Sequence, residues 1–202
     1  AGLSAAVDLT ARGARVTVLE ARPRLGGRAT SYRDRVTGEL VDNGQHILFG
    51  CYRETLRFLR TIGVDHDVLF QESLGVSYLD RDNRHIRFQC PHLPPPLHLI
   101  AGVLKWKAVA ARERWAGLRM IGPLRRARRH EPATRQDETV REWLVRHGQG
   151  PRLRELFWEP LALAALNQRP DQAAAVPFAR VLGELCGTDT ADAAVGIPMK
   201  PL

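Results

Sequence analysis

Cysteine is scarce in this sequence: Cys51, Cys90 and Cys186 are the only three, they stand far apart, and no two form a C-x-x-C pair. An odd number at such spacing indicates neither a disulfide framework nor a thiolate zinc site, so no metal is expected and a reducing cytosol fits. Long apolar runs are missing too. No segment reaches the about 18 consecutive apolar residues that a membrane-spanning helix needs, and the start as given carries no signal peptide. Aromatic residues make up 6% and do not interleave with the one dense basic run, "RRARRH" at Arg125 to His130. A stacking platform for nucleic acid is therefore not expected, despite a net charge of +8. The run reads as a solvated helix face, and contact with anionic lipid headgroups is the remaining use of the charge.

What is present begins in mid-pattern. The opening "AGLSAAVDLTARGARVTVLE" has no initiator Met and "GIPMKPL" closes the chain without an evident terminal element, so a piece of a longer protein is expected. Leu3 to Ala11 reads as a helix stopped by Gly13, and "ARVTVLE" as a buried parallel strand ending in an acid. Together they make the second half of a βαβ unit whose first strand lies outside the chain. "YRETLRFLRTI" sets Leu56, Leu59 and Ile62 on one face of a helix. "GVSYLD" and "HIRFQC" flank "RDN" as a hairpin, and "PHLPPPLHL" breaks both kinds of element, marking a boundary before a helical part. There, Thr139 and Glu142 have capping-box spacing ahead of a Val140, Trp143, Leu144 stripe, with Gly148 as the stop. "LRELFWEPLALAALN" is apolar on nearly every side and is expected to be buried or to line an apolar cavity, kinked or divided at Pro160.

Chemistry concentrates in the first fifty residues. Gly2 precedes the first helix and lies 18 positions before Glu20. In a dinucleotide-binding fold the last glycine of G-x-G-x-x-G permits close helix-to-strand packing, and an acid about 20 residues on accepts ribose hydroxyls. After Glu20 comes "ARPRLGGR": Gly26 and Gly27 let the backbone approach a pyrophosphate, and Arg28 offers a planar fork of donors to phosphate oxygens. Arg22 and Arg24 read as surface charges. A third marker, "VDNGQHILFG", places Asn43, Gly44 and Gln45 in a turn followed by His46, a candidate proton donor.

The stretch "EARPRLGGR" resembles flavoproteins of the amine oxidase and phytoene desaturase superfamily. Within it, "DNGQHILFGCY" and "LRELFWEPLALAALN" look like the squalene-associated hydroxysqualene dehydroxylases of hopanoid synthesis. The resemblance implies an FAD cofactor with Gly2, Glu20, Gly26, Gly27, Arg28, Asn43, Gly44 and Gln45 around it and His46 as the catalytic candidate. It implies replacement of the hydroxyl of hydroxysqualene by hydrogen, an apolar isoprenoid substrate, and a cytoplasmic protein touching the inner face of the membrane.

The expected fold is therefore α/β: a partial Rossmann-like FAD-binding region over residues 1–50, lacking its first strand, and a mostly helical substrate region over residues 51–202. The second region carries a hairpin near 75–90 and helices over 97–202. Two other readings stay open. A carotenoid-type desaturase or an amine oxidase would keep the flavin, although none of the three lysines, Lys105, Lys107 and Lys200, falls in a recognisable flavin motif. A non-catalytic membrane- or partner-binding piece would not. Nothing in the sequence sets an oligomeric state.

Overall fold

The computed structural model describes residues 2–23, 25–27, 29–44, 46–79, 83–187 and 189–201. Its contacts divide the chain into two compact units. One contains residues up to Leu48, Tyr52–Phe70 and the segment from Val195; the other contains Phe49–Cys51 and Gln71–Ala194.

The first unit opens with α1 (Gly2–Ala11). Its stop is a two-bond helix end, in which Ala14 N–H donates to the Leu9 carbonyl and Gly13 N–H to that of Thr10, with Gly13 at φ +83°. The expected buried strand over residues 14–20 does not form: the segment has no ladder partner among the described residues, and Leu19 is 90% exposed. A parallel strand is defined by neighbours on both sides, and β-branched residues cannot supply them. Next come β1 (Ser31–Arg33) and β2 (Leu40–Asp42), an antiparallel pair with Tyr32 opposite Val41. The turn between them is tied by the Asp34 carboxylate, which accepts from the Val36 and Thr37 backbone N–H groups and is held below its usual range by them. After α2 (Arg53–Thr61), with Leu56, Phe58 and Leu59 half-buried, β4 (Val68–Phe70) pairs antiparallel with β7 (Val195–Pro198). The short β3 (Leu48–Phe49) completes the order β3-β7-β4. Thus the closing "GIPMKPL", expected to hold no element, contains a strand. Its partner lies far away in the chain, beyond the reach of any local pattern.

In the second unit the predicted hairpin is present as β5 (Gly75–Leu79) and β6 (His85–Gln89), in register from Gly75 opposite Gln89 to Leu79 opposite His85. The proline stretch does not separate it from the helices. Instead α3 (Leu97–Lys105) lies against the hairpin, with Gly102 so close that a β-carbon there would meet Cys90 Sγ at 2.9 Å and Phe88 Cζ at 3.2 Å. Phe88, fully buried, stacks edge-on to Trp106 and Phe157 with ring centroids 5.1 and 5.2 Å away.

The helices α4 (Ala111–Gly117), α5 (Ile121–Arg128), α6 (Val140–Arg146) and α9 (Ala175–Leu185) follow. The predicted capping box is formed: Thr139 Oγ1 accepts from Glu142 N–H at 3.2 Å and Glu142 Oε2 accepts from Thr139 N–H at 2.9 Å. Val140, Trp143 and Leu144 are fully buried, as their spacing predicts. Helices α5 and α9 meet at Gly183, where a β-carbon would lie 2.8 Å from the backbone nitrogen of Arg128. The apolar segment is divided, but ahead of the proline: α7 (Pro151–Leu153) runs into a π-helical turn at Arg154–Trp158, then α8 (Glu159–Leu166), with Pro160 at its second position. Burial is less than expected. Ala162 is buried while Leu163 is 52% exposed, because apolarity on every side does not provide neighbours on every side.

One buried ion pair fastens α6. Glu138 Oε1 and Oε2 accept from Arg146 Nε and Nη2, each at 2.6 Å, and Arg135 N–H adds a third bond at 2.9 Å. The hydrogen bonds from Arg146 hold the Glu138 carboxyl below its ordinary value of 4.5. A depressed folded-state value means stability present above the unfolded value and lost as the pH falls through the folded one. Glu138→Gln is therefore expected to cost about 2 kcal/mol at neutral pH, discounted from a fully buried pair because Arg146 is partly exposed. In urea melts the gap between the variant and the parent should close below about pH 4; a gap independent of pH would contradict this account.

Candidate functional site

Of the residues singled out near the start of the chain, Asn43 and Gly44 follow directly on the β1–β2 hairpin and Gly26 and Gly27 precede it by a few residues. Asn43 N–H donates to the Thr30 carbonyl at 2.8 Å, directly beyond the β1–β2 ladder, and Ser31 Oγ donates to Asp42 Oδ1. The antiparallel pairing thus sets Thr30, three residues after Gly27, beside Asn43, the residue before Gly44.

Both glycines have a reason to be glycine. Gly26 sits at φ +103° and Gly27 at φ +66°, the left-handed region that side chains disfavour. At Gly26 a β-carbon would also lie 2.4 Å from the Ala29 carbonyl oxygen. Gly44 stands at φ +92°, its N–H on the Asp42 carbonyl at 2.8 Å. Each is a bare backbone corner, suited to a ligand that needs close approach to peptide groups.

Glu20 is exposed, and its Oε1 accepts from Arg22 N–H at 2.9 Å, which orients the carboxylate at the head of the 21–23 turn. Its Oε2 has no partner among the described residues. Gly2 opens α1 on the surface, with open space where a β-carbon would point. Arg28 and Gln45 lie outside the described residues. His46 is half-buried between the Asn43–Gly44 turn and β3, and its Nε2 is shielded from solvent with no hydrogen-bond partner among the described residues. A buried ring nitrogen without a partner is costly. Glycine positions of this kind are what a backbone that a dinucleotide approaches closely would require.

The cysteines take no part. Burial pushes the thiols of Cys90 and Cys186 up to about 12, so both are neutral and unreactive at physiological pH. Among the described residues no group of His, Cys, Asp and Glu is placed to hold a metal ion. No helix among them is long and apolar enough to cross a membrane.

Sequence reasoning passed over the aromatic cluster of the second unit. Besides Phe88, Trp106 and Phe157 it includes Tyr78, 6.1 Å from Trp106, and Trp158, 4.7 Å from Phe157. Trp158 Nε1 donates to Gln149 Oε1 at 3.0 Å, and burial pushes the Tyr78 hydroxyl up to about 12. The π-helical turn carries two of these rings. Its signal was the "FWEP" run, but a π-turn has no periodicity of its own to read.

Residues 1–185 match the model of the flavin-containing amine oxidoreductase family. Hydroxysqualene dehydroxylase of Zymomonas mobilis is 35% identical over 114 residues, covering 56% of this chain and 26% of that enzyme. Its counterpart in Rhodopseudomonas palustris is 37% identical over 79 residues, covering 39% and 19%. Zeta-carotene desaturase of Zea mays is 39% identical over 72 residues, covering 36% and 12%. In each case the match spans well under a third of the relative's own length.

Proposed function

We propose that this chain, which belongs to the family of flavin-containing amine oxidoreductases, forms part of an FAD-dependent oxidoreductase that reductively dehydroxylates hydroxysqualene to squalene. One observation carries the reading: the β1–β2 hairpin, continued by Asn43 N–H on the Thr30 carbonyl, ties the segment after Gly26 and Gly27 to the segment before Gly44, in a chain similar to two hydroxysqualene dehydroxylases.

In this reading Glu20 Oε2 accepts a ribose hydroxyl, while Gly26 and Gly27 present N–H groups to the pyrophosphate and Arg28 pairs with its oxygens. Asn43, Gly44 and Gln45 supply backbone groups to the flavin ring. Gly2 lets α1 pack closely on the strand of a Rossmann-like layer. Reduced FAD, when bound, supplies the hydride that takes the place of the hydroxyl. His46 donates a proton to the departing oxygen, so the C–O bond breaks with its electrons on oxygen and water leaves. The net charge of +8 supports a cytoplasmic protein resting on the inner face of the cell membrane, where such a substrate resides.

A chain extended at both ends to the length of these relatives should convert hydroxysqualene to squalene. His46→Ala should keep its flavin and lose about a hundredfold or more in turnover; full turnover in that variant would remove His46 from the mechanism. The similarity to a zeta-carotene desaturase favours a second reading, oxidation of a polyene precursor. Feeding hydroxysqualene and phytoene in parallel separates them by product. A non-catalytic role would leave both substrates unchanged.

A further inference from the structure

Away from the hairpin of the first unit, a cavity of about 430 Å³ opens in the second, lined by His85, Arg87 and Gln89 of β6 and by Lys105, Trp106 and Lys107 at the end of α3. We infer that this cavity binds a phosphate group. The alternation of β6 brings it about: His85, Arg87 and Gln89 share the outward face at a period of two, while Phe88 points into the core. Opposite them, α3 ends at Lys105, and the chain turns so that Lys107 reaches the same space.

Three features point to an anion. Among the described residues no carboxylate lines the cavity. Arg87, Lys105 and Lys107 are exposed and have no ion-pair partner among the described residues. The indole nitrogen of Trp106 is buried with no acceptor among the described residues, although Trp106 itself lines the cavity. A donor in that state is costly until an acceptor reaches it, and a phosphate oxygen in the cavity would be one.

The opposing influence is the C-terminus of α3, whose free carbonyls amount to about half a negative charge. Lys105 alone would be accounted for as its complement. Arg87 on a strand and Lys107 beyond the helix would not, and three full positive charges outweigh the half. Arginine forks and lysine ammonium groups are the usual partners of phosphate oxygens. The ligand chemistry is therefore a phosphate ester or diphosphate, whether free or in the headgroup of an anionic lipid.

The test uses the full 202-residue chain. Inorganic pyrophosphate is titrated calorimetrically, and vesicles of phosphatidylglycerol in phosphatidylcholine are used for flotation. The cavity variant Arg87→Gln/Lys105→Gln/Lys107→Gln is compared with Arg125→Gln/Arg126→Gln/Arg129→Gln, the α5 variant, which makes the same change of charge on α5 and at the residue that ends it. All six side chains are exposed, so both variants should fold, with circular dichroism as the check. The cavity variant should lose about tenfold or more in affinity and the α5 variant less than about twofold. Trp106→Phe, which keeps a ring and removes the N–H, should lose about threefold to tenfold. Saturable pyrophosphate binding lost in the cavity variant supports a free phosphate ligand. Vesicle binding alone, lost in the same variant, supports a lipid headgroup. No binding of either probe, or equal losses in the cavity and α5 variants, overturns the assignment.

Discussion

Trp143→Ala is expected to cost about 4 kcal/mol, the range for truncating a buried aromatic side chain with little room for collapse. Trp143 is fully buried, lies edge-on to Phe178 with centroids 6.2 Å apart, and donates from Nε1 to the Ala133 carbonyl at 2.9 Å. Removing it leaves a cavity between α6 and α9 and an unpaired carbonyl, the latter adding about 1 kcal/mol. Since whole domains are stable by only about 5–15 kcal/mol, the second unit should lose a large part of its margin. Urea melts followed by circular dichroism read this directly. Trp143→Phe, which retains most of the volume, should cost less than half as much; equal costs would mean that the hydrogen bond, not the packing, dominates.

The second large effect lies in the first unit. Gly26→Val places a branched side chain at φ +103° and a β-carbon 2.4 Å from the Ala29 carbonyl oxygen. Neither the dihedral nor the clash can be relieved by a rotamer change, so the 26–29 loop must be rebuilt. Strain of this kind costs about 1–3 kcal/mol where the backbone holds. Where the backbone moves, its N–H groups no longer face a ligand. In the proposed full-length enzyme this variant should purify with little or no flavin, while the melt of the second unit is unchanged. Retention of stoichiometric flavin would mean that the glycine corner serves the turn alone.

The two regions were unequally legible in the sequence. The capping box at Thr139 and Glu142, the stripe of Val140, Trp143 and Leu144, and the stop at Gly13 were readable because each is decided within a few residues. The β5–β6 hairpin was readable for the same reason. The strand at β7 was not, since its partner is β4, and neither was the failure of residues 14–20 to form a strand. Both depend on neighbours that no local pattern contains. α8 shows the limit of composition: "LALAAL" is apolar all round, yet the chain covers it on only one side.

At the candidate site, the glycine positions at Gly26 and Gly44 were legible as residue types, but the register that sets Ser31 opposite Asp42 between them was not. The sequence also showed His46 without showing that its Nε2 is shielded from solvent with no partner among the described residues. Aromatic residues were few enough to pass as ordinary core until five of them proved to share one cluster around the π-helical turn.

The most direct measurement is the visible absorbance of the chain extended at both ends to the length of its relatives, purified and then titrated with FAD. The account predicts flavin bands that rise to one equivalent and fall when Gly26 is replaced by valine. A protein that stays colourless and takes up no added FAD would contradict the assignment of residues 20–46 to a flavin, and the proposed chemistry with it.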